Sequence, residues 1–473
     1  MTQQNLAPKL ASKIVSDPVS DPASELASDL APKPKVFFKT FGCRTNLYDT
    51  QVMRENLKDF EHTQEESEAQ IIVVNSCTVT NGADSGVRSF VRRAKAQGKQ
   101  IIFSGCGVKT QGKALFEKNL VQSVIGHSHK ERINALLLRA QNGERVFADD
   151  ALESKHIDST IITEFVGKSR AFIKIQEGCD FACSYCIIPS VRGGARSFPL
   201  SHIITQARKL IDSGVCEVVL TGTNVGSYGK DLGISMPTLL RALFEIEGLE
   251  RVRIGSLEPS QLDSEFFEIL SHPKLERHLH IALQHAHDEM LSIMNRANRV
   301  ESDFALLERL ANLGYAIGTD FIVAHPGETQ EIWEKAMQNV ARLPLTHIHP
   351  FIYSVRDGTP SAKMHAKYPR INGVVAKERL HALNTLIAQK NLEFRERQLQ
   401  SGAPLKVLIE KRLGNCLIGL DEFFNKIIIE SSEVESKSDS RILDSATSAS
   451  QNLSKWLLID KYEAKEECNH AYI

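Results

Sequence analysis

The sequence predicts an α/β protein of three parts: an N-terminal parallel sheet, a partial (βα)6 TIM-like barrel and a small C-terminal antiparallel β-barrel. Two patterns indicate this class. Apolar runs of strand length alternate with helix-compatible segments from about residue 36 to residue 395, and only short β-type runs follow residue 402. The chain has 473 residues, of which 42% are hydrophobic, so it can fill the cores of several domains.

Residues 1–35 mix Ser, Asp, Pro and Ala, and this composition predicts a flexible leader. The chain does not open with a basic segment followed by an apolar core, and no apolar run approaches the roughly 18 residues that cross a bilayer. We therefore expect a cytoplasmic protein with no membrane partner. The nine cysteines, an odd number, fit a reducing compartment in which thiols hold metal.

The N-terminal domain, expected over residues 36–150, contains three buried-type strands that each end in a cysteine. These strands run up to Cys43, Cys77 and Cys106. The loops at the carboxyl ends of parallel strands line the ligand crevice of an open α/β sheet, so the three cysteines should meet at one edge. Packing does not explain three cysteines at equivalent positions, and they predict a three-thiolate iron–sulfur site.

Six strand–helix units predict the partial barrel over residues 165–400. The strands are placed at Ala171–Gln176, Glu217–Thr221, Arg251–Ser256, His278–Leu283, Ala316–Val323 and His347–Tyr353. A CxxxCxxC run follows the first strand, and its thiols, Cys179, Cys183 and Cys186, can converge on one four-iron cluster and leave one iron open. Zinc is the alternative, but it usually takes four ligands in CxxC pairs.

The last part, residues 403–473, contains four short β-type runs that predict the antiparallel barrel. A Ser-rich stretch from Ser431 to Ser454 interrupts it and predicts a long mobile loop. The barrel fits a nucleic-acid module and a packing cap equally well.

The net charge of −1 excludes a nucleic-acid binder that works by bulk charge alone. Basic residues nevertheless cluster in three places: from Arg88 to Lys99, at Arg192 and Arg196, and from Lys390 to Arg412. Each cluster is either part of a basic face or an ordinary solvated helix surface.

Several motifs together resemble the radical S-adenosylmethionine (SAM) methylthiotransferase family over nearly the whole chain after the leader. They are Phe41-Gly-Cys-Arg-Thr-Asn-Leu-Tyr-Asp49, Val74-Asn-Ser-Cys-Thr-Val-Thr80, the CxxxCxxC run with Tyr185 before its third cysteine, Leu257-Glu-Pro259, His325-Pro-Gly-Glu-Thr329 and Tyr353-Ser-Val-Arg-Asp-Gly-Thr-Pro360. Within the family, Lys174-Ile-Gln-Glu-Gly-Cys179 and Cys186-Ile-Ile-Pro-Ser-Val-Arg-Gly193 most resemble the MtaB-type branch, which modifies threonylcarbamoyladenosine beside the tRNA anticodon.

The resemblance implies methylthio transfer to carbon 2 of threonylcarbamoyladenosine at position 37 of tRNA. It implies two 4Fe-4S clusters and SAM as cofactors, a C-terminal RNA-binding TRAM domain, and tRNA, an external electron donor and a sulfur donor as partners of a monomer. The expected SAM contacts are Tyr185, Gly222, Ser256, Glu258 and Gln284. The expected substrate phosphate contacts are Arg192 and Arg196.

Other activities stay open at this point. Close relatives in the family act on isopentenyladenosine in tRNA or on an aspartate of a ribosomal protein. A non-enzymatic iron–sulfur electron carrier would also keep the cysteines, although each site supplies three thiolates where a carrier needs four. The chain also departs from the family: Ala282-Leu-Gln-His-Ala-His287 replaces the usual Pro-Leu-Gln-Ser-Gly-Ser, and Ala324 occupies a usual glycine.

Overall fold

The computed structural model describes residues 32–149, 156–165, 169–430 and 456–472. The expected leader, up to residue 31, and the expected Ser-rich loop, residues 431–454, lie outside the described residues. Among the helices described, none is both long and apolar enough to cross a membrane.

A six-stranded parallel sheet forms the N-terminal part, in the order β2-β1-β3-β4-β5-β6. Its elements are β1 (Lys35–Thr40), α1 (Arg44–Glu55), β2 (Glu61–Thr63), β3 (Ile71–Ser76), α2 (Asn81–Ala96), β4 (Gln100–Gly105), α3 (Lys113–Glu117), β5 (Ser123–Ile125), α4 (Ile133–Gln141) and β6 (Phe147–Ala148). The parallel sheet is confirmed. Strands β2, β5 and β6 escape sequence analysis because two or three residues are too few to show a pattern.

Apolar side chains cover both faces of this sheet. On β3, Ile71 and Val73 pack with one cluster, whereas Ile72 and Val74 pack with a second cluster that includes Val87 of α2. Strand order reverses at β1 and β3, so the crevice outside their carboxyl ends is the usual ligand position of a doubly wound sheet.

The middle part is a partial barrel of six parallel strands with helices outside. Its strands are β7 (Ala171–Glu177), β9 (Glu217–Gly222), β10 (Arg251–Ile254), β11 (His278–His280), β12 (Ala316–Val323) and β13 (His347–Ile352), with a short β8 (Arg196–Ser197) antiparallel to β7. Its helices are α5 (Ile188–Arg192), α6 (Leu200–Asp212), α7 (Met236–Phe244), α8 (Ser264–Ile269), α9 (Asp288–Ile293), α10 (Val300–Asn312), α11 (Gln330–Arg342) and α12 (Pro360–Lys363).

The six barrel strands divide into two hydrogen-bonded groups, β10-β9-β7-β8 and β11-β12-β13. Single parallel bridges, Val252 to Leu275 and Leu257 to Ile281, join the two groups. All six strand positions expected from the sequence are occupied by strands that start at the expected residue, and their carboxyl ends differ from the expected ones by at most three residues.

A long helix, α13 (Gly373–Ser401), leads to the C-terminal sheet. This sheet has the order β17-β14-β15-β16-β19-β18 and comprises β14 (Leu405–Leu413), β15 (Cys416–Leu420), β16 (Lys426–Glu430), β17 (Trp456–Ile459), β18 (Glu463–Ala464) and β19 (Asn469–Tyr472). Four of its neighbouring pairs are antiparallel, and β16 and β19 are parallel.

The C-terminal sheet packs against the barrel rather than standing apart from it. Arg253 of β10 donates to the Asp421 carbonyl at 2.8 Å, and the Trp456 indole N–H donates to Cys216 Sγ at 3.0 Å. The Phe424 ring stacks on His278 with centroids 5.1 Å apart. The described part of this sheet therefore caps the amino-terminal end of the barrel, whatever else it binds.

Candidate iron–sulfur and SAM site

The three cysteines at the strand ends of the N-terminal sheet do meet at one edge. Cys43 directly follows the β1 turn and precedes α1, Cys77 follows β3 and Cys106 follows β4. Cys43 is exposed, whereas Cys77 and Cys106 are buried. Gly42 allows this approach because it has a φ of +100°, and a Cβ at its position would lie 2.6 Å from Cys77 Cβ.

The CxxxCxxC loop begins at the carboxyl end of β7 and is held by backbone hydrogen bonds. The Cys179 N–H donates to the Gly193 carbonyl at 3.1 Å, and the Cys186 N–H donates to the Cys183 carbonyl at 3.1 Å. Gly178 lies in the left-handed region at φ +76°, where a Cβ would collide with the Gly194 carbonyl. The chain can therefore turn three thiols toward the same space at the top of the barrel.

Burial raises the pKa of thiols in both cysteine sets. Burial, with the thiols of Cys106 and Cys43 nearby, raises the pKa of Cys77 to about 11. Burial, with Cys183 and Cys179 nearby, raises the pKa of Cys186 to about 12. Thiols that disfavour one another's ionisation are stabilised as thiolates by a metal cation, so both sets fit an iron–sulfur group. Each set offers three thiolates, which leaves one iron of a four-iron cluster open.

A buried guanidinium joins the two cysteine sets. Arg192, at the end of α5, is 2% exposed, and its Nε donates to Cys106 Sγ at 3.1 Å. Its terminal nitrogens contact Glu177 Oε1 at 2.5 Å and Asp49 Oδ2 at 3.1 Å. Glu177 is the last residue of β7 and stands two residues before Cys179, so the Arg192 side chain links Cys106 to the strand that carries the CxxxCxxC loop.

The network around Arg192 is a set of buried, paired charges. Lys174 Nζ lies 2.6 Å from Asp49 Oδ1, and Arg196 NH2 lies 3.1 Å from Glu177 Oε2. Burial by itself would raise the pKa of Glu177, but the cations Lys174, Arg192 and Arg196 hold it well below its ordinary value. The carboxylates are therefore ionised at neutral pH, and their charges are compensated inside the protein.

Glu258, an expected SAM contact, lies beside the radical-site cysteines. Its carboxylate forms a bidentate pair with Arg296, at 2.7 Å to NH1 and 2.5 Å to NH2. Arg296 NH1 also lies 3.7 Å from Cys183 Sγ, and Asn224 Nδ2 lies 3.8 Å from Cys179 Sγ. Glu258 therefore lies at the rim of the CxxxCxxC loop, and Arg296 binds one side of its carboxylate.

The other expected SAM contacts lie along the carboxyl ends of the barrel strands. Tyr185 packs beside His325 with ring centroids 6.4 Å apart, Gly222 pairs with Gln176 at the end of β9, and Ser256 is exposed after β10. Gln284 has a φ of +69°, and its N–H donates to the Asp320 carbonyl at 3.0 Å. Ala324 has a φ of +61°, which explains why the family uses glycine there.

The two arginines expected to contact substrate phosphate require a correction. The guanidinium of Arg192 is buried and engaged by two carboxylates, so it is not available to a phosphate. Arg196 is 9% exposed, pairs with Glu177 and lines a surface groove of about 930 Å³ that also contains Asp158 and Asp231. Acidic side chains in that groove oppose a phosphate contact. The same burial applies to Arg395 of the third basic cluster, which is 1% exposed.

Sequence reasoning missed the residues that hold the two sites together. Asp49 ends a family motif and has no assigned role there, and Arg296 belongs to none of the motifs. The signal that could have identified Asp49 is its position on α1, six residues after Cys43. This helix packs on β7, and Asp49 therefore faces the barrel, where it contacts Lys174. His285, which lies in the segment that departs from the family motif, is fully buried against Phe321 with ring centroids 4.7 Å apart.

Two known families match the two parts of the chain that carry these cysteines. Residues 35–126 match an uncharacterized protein family, UPF0004, and residues 173–340 match the Radical SAM superfamily. The first segment contains Cys43, Cys77 and Cys106, and the second contains Cys179, Cys183 and Cys186.

Curated relatives match over most of the chain. A Helicobacter pylori (strain J99) protein, provisionally named a methylthiotransferase, is 56% identical over 92% of this chain and 99% of its own length. The threonylcarbamoyladenosine tRNA methylthiotransferase MtaB of Aquifex aeolicus is 32% identical over 80% of this chain and 94% of its own. The tRNA-2-methylthio-N(6)-dimethylallyladenosine synthase of Zymomonas mobilis is 32% identical over 84% and 92%.

Among solved structures, the radical SAM methyltransferase TsrM of Kitasatospora setae is similar in fold. It aligns with a TM-score of 0.53 at 17% identity and covers 71% of this chain and 78% of its own.

Proposed function

Because the chain belongs to the radical SAM methylthiotransferase family, we propose that it transfers a methylthio group to carbon 2 of threonylcarbamoyladenosine at position 37 of tRNA. The observation that carries the proposal is the pair of three-cysteine sites, with Arg192 bridging Cys106 and Glu177 at the end of the strand that leads to the second site. The enzyme would act in the cytoplasm as a monomer and would need an external electron donor and a sulfur donor.

The chemistry of the target atom explains why two cluster sites are needed. Carbon 2 of adenosine carries an unactivated C–H bond that no acid or base removes at neutral pH. When bound, the iron–sulfur and SAM cofactors supply the radical and sulfur chemistry that this bond requires. The protein holds the reactants in place: Cys179, Cys183 and Cys186 would hold one cluster, and Cys43, Cys77 and Cys106 would hold the other.

The remaining residues position these groups and the substrate. The Glu258–Arg296 pair fixes a carboxylate beside Cys183, where it can accept a hydrogen bond from SAM. Tyr185, Gly222, Ser256 and Gln284 stay our candidates for the other SAM contacts. Arg192 orients Cys106 and neutralises part of the thiolate charge.

The choice of substrate rests on the motifs and the relatives together. The segments that most resemble the MtaB-type branch, from Lys174 to Cys179 and from Cys186 to Gly193, supply Lys174, Glu177 and Arg192 of the buried network. Relatives named MtaB from Aquifex aeolicus, Rickettsia prowazekii and Bacillus subtilis are 31–32% identical to the chain. A dimethylallyladenosine substrate is the second candidate, because a synthase named for it is 32% identical as well.

We place the tRNA backbone on the exposed basic face of α2. Arg88, Arg92 and Lys95 are exposed on this helix, and its N-cap, Thr80, lies three residues after Cys77. Phosphate contacts on this face would bring the anticodon loop to the N-terminal cysteine site. Arg93 is less available because it pairs with Glu66 at 2.9 Å.

Two experiments test the proposal. Nucleoside mass spectrometry of tRNA from a strain that lacks the protein should show loss of 2-methylthio-threonylcarbamoyladenosine and accumulation of threonylcarbamoyladenosine. In vitro, tRNA without the threonylcarbamoyl group should not be methylthiolated, since a pocket built for a polar carboxylate would leave its own polar groups unpaired. Loss of the dimethylallyl derivative instead would transfer the assignment to the second candidate.

A third experiment separates the two cysteine sites. Anaerobically reconstituted protein should carry about eight irons, as two four-iron clusters require. Replacing Cys43, Cys77 and Cys106 with Ala should remove half of the iron and abolish methylthio transfer, while dithionite-driven SAM cleavage continues. Loss of SAM cleavage with the other cluster still loaded would contradict this division of labour.

A further inference from the structure

A trio of metal-ligating side chains lies outside both cysteine sites. His280 ends β11, Asp320 lies within β12 and His349 lies within β13. Their candidate ligand atoms all lie within 4.8 Å of one another. These three strands are adjacent in one parallel sheet, and Asp320 and His349 are direct cross-strand partners.

The trio faces the lumen of the partial barrel. Neighbouring residues on the same strands, Leu279, Ile317 and Ile348, point the other way and belong to the core under the outer helices. Side chains alternate along a strand, so His280, Asp320 and His349 point away from those helices. The side chains of His280, Asp320 and His349 are 13%, 24% and 56% exposed, so solvent and ions reach them.

The spacing of the three side chains fits a divalent cation. His280 Nε2 lies 3.2 Å from Asp320 Oδ2, but His349 Nδ1 lies 3.7 Å from Oδ1, beyond hydrogen-bond length. Tetrahedral zinc, with bonds of about 2.0–2.2 Å, separates its ligand atoms by roughly 3.3 Å. Each carboxylate oxygen of Asp320 thus faces one imidazole at about the spacing that a shared cation requires.

A glycine keeps this arrangement open. Gly318 lies on β12 directly opposite His280, and a Cβ there would lie 2.8 Å from His278 Nε2 and 3.0 Å from His280 Nδ1. Any side chain at this position would push the imidazoles of β11 off β12. Glycine at position 318 therefore leaves room for the imidazoles of His278 and His280.

We propose that His280, Asp320 and His349 bind one divalent cation, zinc being the best match, in the barrel lumen. Two imidazoles and one carboxylate are a donor set that zinc takes in proteins, and three protein ligands leave a coordination position open. The open position faces the lumen, since the opposite side of the strands is filled by the core. The site is separate from the cysteines and needs no thiolate.

The open position suggests what the cation would hold. The Asp320 carbonyl accepts a hydrogen bond from the N–H of Gln284, an expected SAM contact, so the site lies just below the rim of the SAM region. A cation there would take an anionic oxygen of the substrate, such as the threonyl carboxylate. This second step rests on the proposed function, whereas the cation site itself does not.

The test must exclude a second trio. His129 and His156 both approach Glu131, at 3.3 and 3.0 Å, on the surface beside the N-terminal sheet. Zinc binding is therefore measured in the Glu131→Gln background, on full-length protein whose cysteines have been loaded with iron anaerobically. Equilibrium dialysis against zinc, followed by elemental analysis, gives the stoichiometry and the affinity, and the iron content is checked for each sample.

The Glu131→Gln protein should bind about one zinc per chain, and adding Asp320→Asn should weaken that binding at least about 100-fold. His349→Gln should do the same, and because His349 is 56% exposed this variant keeps the fold. Absence of zinc from the Glu131→Gln protein, or zinc binding that survives both substitutions, would overturn the site.

A separate measurement tests the contact between the cation and the substrate carboxylate. Zinc should bind at least about tenfold more tightly with the nucleoside N6-threonylcarbamoyladenosine than with adenosine, because binding couplings are reciprocal. Equal affinities would refute the carboxylate contact and leave the cation site intact. Failure of the proposed function would instead appear as unchanged tRNA modification in the deletion strain, with zinc binding unaffected.

Discussion

Replacing Arg192 with Met tests the link between the two cysteine sites. The guanidinium contacts Glu177 at 2.5 Å, Asn46 at 2.7 Å, Asp49 at 3.1 Å and Cys106 Sγ at 3.1 Å, all of them buried. Met has a similar length but no charge, so both carboxylates lose a partner in a dry environment. Removing one member of a buried charge pair costs about 3–5 kcal/mol.

That cost is a large fraction of the roughly 5–15 kcal/mol that stabilises a domain. It also changes the local charge. Arg192→Met removes one positive charge from beside Cys106, Asp49 and Glu177. The N-terminal site should therefore lose iron preferentially. Arg192→Lys keeps the charge but not the fork geometry, and should recover only part of the stability.

The assay is anaerobic denaturant unfolding together with the iron content of each variant. Arg88→Met is the matched control, because Arg88 is exposed on α2 and a surface substitution typically changes stability by no more than about 0.5 kcal/mol. An Arg192→Met protein within about 1 kcal/mol of the original, with full iron in the N-terminal site, would refute the reasoning.

Two further predictions concern a buried histidine and two neighbouring arginines. Burial lowers the pKa of His325 from 6.5 to about 4. Between these pH values His325 is protonated in the unfolded chain and neutral in the folded chain. The free energy of unfolding should therefore fall by about 1.4 kcal/mol for each unit that the pH drops in that window. A plot of this free energy against pH should be less steep for His325→Gln than for the original protein, whereas the exposed His381→Gln should leave the slope unchanged. Arg395 is buried and donates to Asn391 at 2.8 Å and to the Glu466 carbonyl at 3.0 Å, so Arg395→Gln should lower stability by about 1.5–3 kcal/mol. The exposed Arg397→Gln should leave stability unchanged and should reduce the salt dependence of tRNA binding by the equivalent of about one phosphate contact. Equal losses of stability in the two variants would contradict the assignment of Arg395 as buried and Arg397 as exposed.

Removal of the C-terminal sheet should also affect the barrel. If this sheet were only a nucleic-acid module, truncation at residue 403 would weaken tRNA binding and leave SAM cleavage intact. In the structure, that sheet accepts hydrogen bonds from Arg251 and Arg253 of β10, at 3.2 and 2.8 Å. Truncation would leave these buried guanidinium groups without those partners, so SAM cleavage should fall as the barrel loosens.

The sequence by itself determined the strand–helix order and the six cysteines. A buried strand is a local run of apolar residues, and a cysteine at the strand end is visible in the same run, so neither needs knowledge of distant residues. Strand β12 was located at both ends, Ala316 and Val323, from its apolar run alone. The parallel arrangement then placed Cys43, Cys77 and Cys106 at one edge, because parallel strands carry their carboxyl ends together.

Only the tertiary structure decided what the charged residues do. Arg192 and Arg395 are basic residues in polar segments, and nothing local separates a surface phosphate contact from a buried ion pair. The partners that bury them are distant in sequence: Asn46 lies 146 positions from Arg192, and Asn469 lies 74 positions from Arg395. The same holds for His280, Asp320 and His349, which come together only because β11, β12 and β13 are neighbours in the barrel. A charge is buried only where its compensating charges are assembled, and that assembly is a property of the folded chain.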